Sequence, residues 1–233
     1  VRRRSTVKTH DVPFLPETHI EQEAALLLAE YGQTHGEVTG PPVPIDEIIE
    51  LHLGLTFEFK DMQQIFGHAD VHGALWLKER LVGVDTALDP AVHPLRKGRY
   101  HFTLAHEGGH WRLHRAHYVE DPNQGSLFAG GLGKPAYVCR SSDKRPVEWQ
   151  ADRFASHLLM PRDMVLAAWR EWRGDLTAVF LDELGKGAAE APEEILKRFC
   201  RPLADRFQVS GEAMRIRLEN LGLLGQEKSS TLF

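Results

Sequence analysis

Hydrophobic positions recur along this chain with two different periods. Ile20, Ala24, Leu27 and Tyr31 fall on one face of a helix of about 3.6 residues per turn. Thr18 and Glu21 have the T-x-x-E spacing of a capping box and predict where that helix opens. Thr39-Gly-Pro-Pro-Val-Pro breaks it, and a short helix over Ile45–Leu53 follows, closed by Gly54. Three short β-like runs come next: Leu55–Phe59, Gly73–Leu77 and Leu81–Asp85. The polar Lys78-Glu79-Arg80 joins the last two as a hairpin. After Pro94 the helical period returns around His106–His110. It recurs over Val147–Met160, where Ala151, Phe154, Ala155 and Leu158 stand at i, i+3, i+4 and i+7. Pro161 ends that helix and begins another through Trp172, and a last helical segment runs from Glu193 to Leu224. Between Val119 and Pro146 no period is visible, and Gly125, Gly130, Gly131, Gly133 and Pro135 mark a long irregular segment.

Composition narrows the class. The 233 residues, 42% hydrophobic and 26% charged, are enough for a core of ordinary size. No apolar run approaches the ~18 residues of a membrane span, and the basic N-terminus lacks an apolar stretch behind it. The expectation is a cytoplasmic protein without membrane contact, in which Cys139 and Cys200 are free thiols. A net charge of −5 argues against a general polyanion binder.

The chemistry lies in His106-Glu107-Gly108-Gly109-His110. Two histidines four residues apart on a helix differ by only ~40° around its axis, so two ring nitrogens can reach one Zn²⁺. Glu107, rotated ~100° from His106, can take a proton from a zinc-activated water without ligating the metal. A catalytic zinc takes a third protein ligand. The metzincin spacing would need Gly and His where Leu113 and Ala116 stand. His114 lies another turn on, but three ligands spread over two turns drift around the helix axis. Glu148, one turn before Asp152 on the second helix, is the better candidate, with Asp152 placed to orient a histidine N–H. The transition-state stabiliser stays open among Tyr118, His117 and His157, although His157 lies about 180° round its helix from Glu148. The run Gly73, Ala74, Leu75, Trp76 and Leu77 is either an ordinary paired strand or an edge strand that could bind an extended substrate.

Phe102–His110 (F-T-L-A-H-E-x-G-H) followed by Glu148–Pro161 (E-x-x-A-D-x-F-A-x-x-L-L-M-P) resembles the ImmA/IrrE family of zinc metallopeptidases. Pro41–Leu55, His72–Leu77 and Leu203–Leu223 extend the likeness over most of residues 20–224. The resemblance implies an α+β, zincin-like, gluzincin-type core in which a small sheet carries the H-E-x-x-H helix and a Glu-bearing helix. It implies one Zn²⁺ per chain on His106, His110 and Glu148, with Glu107 as general base and Asp152 behind a ligand. It further implies cleavage of a helix-turn-helix repressor, relieving repression. Gly109 fits the family pattern, whereas position 108 is commonly aliphatic in the family and is Gly here.

Leu203–Ser210 followed by Glu212–Leu221 has helix-turn-helix spacing, with Arg215 and Arg217 on the second helix. From Ile195 to Lys228 seven basic residues stand against four acidic ones, so DNA contact is open, with structural support or partner docking favoured. The expected division is a basic flexible tail over 1–16, a metallopeptidase domain over 17–184, a helix-turn-helix-like segment over 193–225 and a flexible tail over 226–233. Two other functions compete with the peptidase. One is a DNA-binding or regulator-sequestering module with a structural zinc, and the other is a metal-dependent hydrolase of a non-peptide substrate. The intact Glu107 argues against the first alone, since a structural zinc needs no base.

Overall fold

A computed structural model describes residues 12–118, 133, 135–140, 143, 145–184 and 191–225. Of the flexible tail expected over 1–16, residues 1–11 lie outside the described residues, as do the tail expected over 226–233 and most of the irregular segment. In chain order the elements are α1 (Glu17–His35), α2 (Ile45–Glu47), β1 (Thr56–Lys60), α3 (Met62–Phe66), β2 (Val71–Trp76), β3 (Leu81–Asp85) and α4 (Lys97–Gly109). Then come β4 (Tyr137–Arg140), α5 (Pro146–Leu159), α6 (Arg162–Arg173), β5 (Val179–Phe180), α7 (Leu181–Leu184), α8 (Pro192–Phe207), α9 (Gly211–Asn220) and β6 (Leu224–Gly225). This is a mixed α+β fold.

The first helix buries Ile20, Ala24, Leu27 and Tyr31, the stripe its period predicts. Its start differs from the expectation. Pro16, not Thr18, occupies the N-cap, and no side chain caps the helix. The proline's fixed φ carries the chain straight from an extended approach into Glu17.

The four-stranded sheet has the order β1-β3-β2-β4. Strands β1 and β3 run parallel, and β2 is antiparallel to both β3 and β4. The expected hairpin is therefore present, but Gly73–Leu77 offers no free edge. Gly73, Ala74 and Leu75 pair with Val84, Gly83 and Val82 on one side and with Cys139, Val138 and Tyr137 on the other. The edge-strand reading of Gly73, Ala74, Leu75, Trp76 and Leu77 is thereby corrected. The third partner, β4, lies in a stretch that shows no period in the sequence.

Period-two alternation sends the side chains of β2 to opposite faces. Leu75 joins the main core with Val82, Val84, Leu104 and Phe154, while Ala74 and Trp76 pack with Met62, Val71 and Leu81 beneath α3. Helices α8 and α9 contribute Leu203, Phe207, Met214 and Leu218 to the same main core as α1, α4 and α5. The segment over 193–225 is thus built into the core that supports α4 and α5.

Candidate metal centre

Two helices meet beside β2. At Gly109 the two helices, α4 and α5, approach tightly: a Cβ there would lie 3.1 Å from Phe154 Cδ1 and 3.3 Å from Ala151 Cα on α5. That close approach brings the last turn of α4, with His106 and His110, onto the first turn of α5, with Glu148. Pro146 at the start of α5 sets where that first turn begins.

His106 Nε2, His110 Nε2 and Glu148 Oε2 converge. The two nitrogens are 3.0 Å apart, and the carboxylate oxygen is 3.2 Å from His106 and 3.4 Å from His110. Ligands at the usual zinc distances in a tetrahedral arrangement are separated by about 3.3 Å, so the spacing suits one small cation. The three side chains are buried, and their ligand atoms form a compact group.

Hydrogen-bond bookkeeping sharpens the fit. His106 Nδ1 lies 2.9 Å from Asp152 Oδ1. An N–H donated to that carboxylate leaves a lone pair on His106 Nε2, aimed at the anionic Glu148. Electron pairs facing each other at these distances need a cation or a proton between them. In the metal-free site a proton can do this work. Burial opposes a charged His106, but Cys139, Asp152 and Glu148 together hold its pKa well above the ordinary value. Burial pushes the Glu148 carboxyl up, yet His106 and His110 outweigh it and hold it well below the usual range. Arg145 Nη2 donates to the other Glu148 oxygen at 3.1 Å.

Glu107 differs from the three converging side chains. It is fully buried and neither carboxylate oxygen has a hydrogen-bond partner among the described residues. Burial raises its pKa to about 8, with His106 opposing and Glu148 reinforcing the rise. It fits there only because β2 has no side chain opposite. A Cβ on Gly73 would stand 2.7 Å from Glu107 Oε1 and 2.6 Å from Thr103 Cγ2.

Beyond Gly109 the helix widens over His110–His114, and a tight turn over Arg115–His117 follows. Wide turns of this kind are frequent at functional sites. Here the turn sets His114 behind His110, with its Nδ1 2.9 Å from His110 Nδ1. The His114 ring stays outside the converging group, but it touches the back of a ligand. Tyr137 of β4 stacks on His110 with ring centroids 4.2 Å apart, and its hydroxyl donates to the His114 carbonyl at 3.1 Å.

The three sequence candidates for stabilising developing charge fall in different places. Tyr118 lies 6.4 Å, ring to ring, from Tyr137, on the side of the site. His117 is exposed on the tight turn. His157 is turned to the opposite side of α5, 3.3 Å from Glu17 and 3.4 Å from Glu21 of α1. It is buried there instead of lying on a solvated helix face. Sequence reasoning missed Cys139, which pairs with Gly73 across the sheet and forms a second compact donor group with His106 and Glu107. It also missed Arg145, Tyr137 and Gln150. Only Arg145 carried a signal, since it stands three residues before Glu148, the spacing of an ion pair at a helix start.

The pattern of the Peptidase M78 family, described as the IrrE N-terminal-like domain, matches residues 92–219. The chain belongs to this family. The match spans α4, α5 and the C-terminal helices, and so covers every residue of the His-His-Glu group. Among solved structures, a Mycobacterium tuberculosis transcriptional regulator is similar at 13% identity, with a TM-score of 0.46 over 88% of this chain and 52% of that one. The chain thus spans about half the length of that protein. No curated protein matches it. The M78 chain has a buried His-His-Glu group able to hold a metal, and no helix among its described residues is long and apolar enough to cross a membrane.

Proposed function

We propose that this M78 chain is a zinc-dependent endopeptidase acting on a protein substrate, with Glu107 as general base. The observation that carries the reading is the Glu107 carboxylate, buried and without a hydrogen-bond partner among the described residues, beside three converging donor atoms. An unpaired carboxylate in such a place costs several kcal/mol, and a group kept at that cost is explained by a catalytic role. His106, His110 and Glu148 would hold the zinc. When bound there, zinc supplies a Lewis acid that activates water and polarises a carbonyl.

The chain's own residues do the rest. Asp152 fixes the His106 ring through its Nδ1–H. Arg145 holds Glu148 from behind. Glu107 accepts the proton of the attacking water and delivers it to the departing amine nitrogen. The neighbouring positive charge of a cation favours its ionised form, bringing a carboxyl raised by burial back toward use as a base. The β4 strand, last in the sheet order among the described residues, replaces β2 as the edge along which an extended substrate would align. The substrate class, a helix-turn-helix repressor, follows from the family resemblance carried by the two motifs.

Glu107→Gln decides the matter. The variant should bind zinc like the wild type and fail to cleave a helix-turn-helix repressor that the wild type cleaves, with products read by mass spectrometry. Cleavage at the wild-type rate would refute the base assignment, and metal-free wild-type protein after zinc loading would refute the site.

A further inference from the structure

Behind the donor group runs a line of buried polar atoms whose direction is forced from one end. The Pro13 carbonyl can only accept, so the Gln150 side chain must turn its Nε2 toward it, as the 3.1 Å contact has it. The Gln150 Oε1 then faces His114 Nε2 at 3.3 Å, and an amide oxygen can only accept. His114 therefore carries its proton on Nε2 and presents a lone pair at Nδ1. That lone pair meets His110 Nδ1 at 2.9 Å and requires an N–H there. His110 is left with its lone pair on Nε2, pointing at His106 and Glu148. No step in this line can be reversed without setting donor against donor or acceptor against acceptor.

We propose that His114 and Gln150 form a one-way hydrogen-bond relay, anchored on the Pro13 carbonyl, that locks His110 in its metal-binding tautomer. His114 is a positioning residue and not a fourth ligand. The proposal rests on the metal reading given above and adds a division of labour between the two histidine ligands. His106 is backed by the carboxylate of Asp152, which raises a ligand's basicity. His110 is backed by a neutral imidazole, so it donates less electron density and leaves the metal the stronger Lewis acid. His110, His114 and Gln150 are all fully buried, which shields the line from water that could scramble it. Its anchor is held as well, because Phe14, next to Pro13, stacks on Trp149, next to Gln150, with centroids 6.0 Å apart.

The test uses full-length protein and needs no substrate. In the zinc-loaded form, long-range nitrogen–proton NMR should find His114 neutral with its proton on Nε2. A proton on His114 Nδ1 would overturn the relay, since that atom could no longer accept. His114→Ala should weaken zinc binding about 10–100-fold in competition with a chromophoric chelator, while cobalt-loaded protein keeps its visible band position. His114→Asn, which restores an acceptor near the Nδ1 position, should recover most of that loss. Unchanged affinity in His114→Ala overturns the proposal. So does a shifted cobalt band that Asn does not restore, because His114 would then be a ligand. If His114→Ala does not fold, Gln150→Leu replaces it and should weaken zinc in the same direction. Wild-type protein that binds no zinc would refute the metal reading itself, a result distinct from any of these.

Discussion

Replacing Gly109 with alanine tests whether the spacing of the two ligand-bearing helices sets metal affinity. The added Cβ would sit 3.1 and 3.2 Å from Phe154 Cδ1 and Cβ and 3.3 Å from the Ala151 backbone. Ordinary carbon contacts lie at about 3.5–4.0 Å, so α4 and α5 must part by several tenths of an ångström. A side-chain rotation cannot relieve this, because two of the three contacts are to Phe154 Cβ and to the Ala151 backbone. Alanine gains about 1 kcal/mol of helix propensity over glycine, while overpacking costs about 1–3 kcal/mol. The metal-free variant should therefore lose up to about 2 kcal/mol. Metal sites tolerate displacements of only about 0.2 Å, so zinc affinity should fall by about tenfold or more, roughly 1.4 kcal/mol. Gly108→Ala is the control. Its Cβ would meet Ile49 Cδ1 at 3.0 Å and Leu53 Cδ1 at 3.9 Å, two terminal methyls on a different wall. Ile49 can shift, the α4–α5 spacing is untouched, and helix propensity offsets the crowding. Calorimetry of metal-free protein and chelator competition for zinc give both quantities. Wild-type zinc affinity in Gly109→Ala, or a greater loss in Gly108→Ala, would refute the argument.

Gly73→Ala should leave zinc binding unchanged and cut peptidase turnover by about 10²-fold or more, because its Cβ would displace the Glu107 carboxylate; full turnover would show that Glu107 needs no such room. His157 carries a pH prediction: burial first, then Arg217, lowers its pKa, against Glu21 and Glu17 of α1. A depressed folded-state pKa means the unfolded chain binds the proton more readily, so this stabilisation is complete above pH of about 6.5 and drains away below it. His157→Gln should flatten that acid limb in urea titrations of the metal-free protein, and an unchanged slope would count against it.

How legible the molecule was depends on the length over which each pattern runs. Helices α1, α4 and α5 show the helical period over several turns, and the ligand set follows from where His106, His110 and Glu148 fall on it. Strand β4 spans only Tyr137–Arg140 and is half-buried at three of its four positions. No alternation distinguishes it from the loop around it, and without it β2 reads as a possible edge. The α3 helix is a single turn, yet it left local signs: Asp61 caps it by accepting from the Gln64 N–H, and Gly67 closes it at φ +71. The sequence sets His114 aside as a ligand, and its ring does stay outside the converging group. Its place behind His110 was not legible, because angles taken from an ideal α-helix do not hold where the helix widens after Gly109. His157 shows the limit of helix geometry alone, because its direction could be computed but the α1 helix that buries it could not.

The C-terminal helices raise the question of which reading their arginines support. Spacing made a helix-turn-helix, and charge made a mild basic excess. In the fold those charges are already engaged. Arg217 is buried, donating to the Met160 carbonyl at 3.0 Å and to Glu21 at 3.2 Å. Arg215 is held between Glu212 and Glu219. Neither offers a free guanidinium to a phosphate, and freeing the buried Arg217 would leave the groups it pairs with unsatisfied. The same helices instead grip the two ligand-bearing helices at their far ends. Gln208 accepts from His101 near the start of α4 at 3.2 Å, and a Cβ on Gly98 would run into the Val209–Ser210 backbone at 2.6 and 2.8 Å. Arg217 ties down Met160, the residue that closes α5. One helical pair thus fixes the N-terminal end of α4 and the C-terminal end of α5, while Gly109 fixes their crossing. The helix-turn-helix-like segment, for which the sequence favours structural support or partner docking over DNA contact, packs in this fold as a brace on the helices that carry His106, His110 and Glu148.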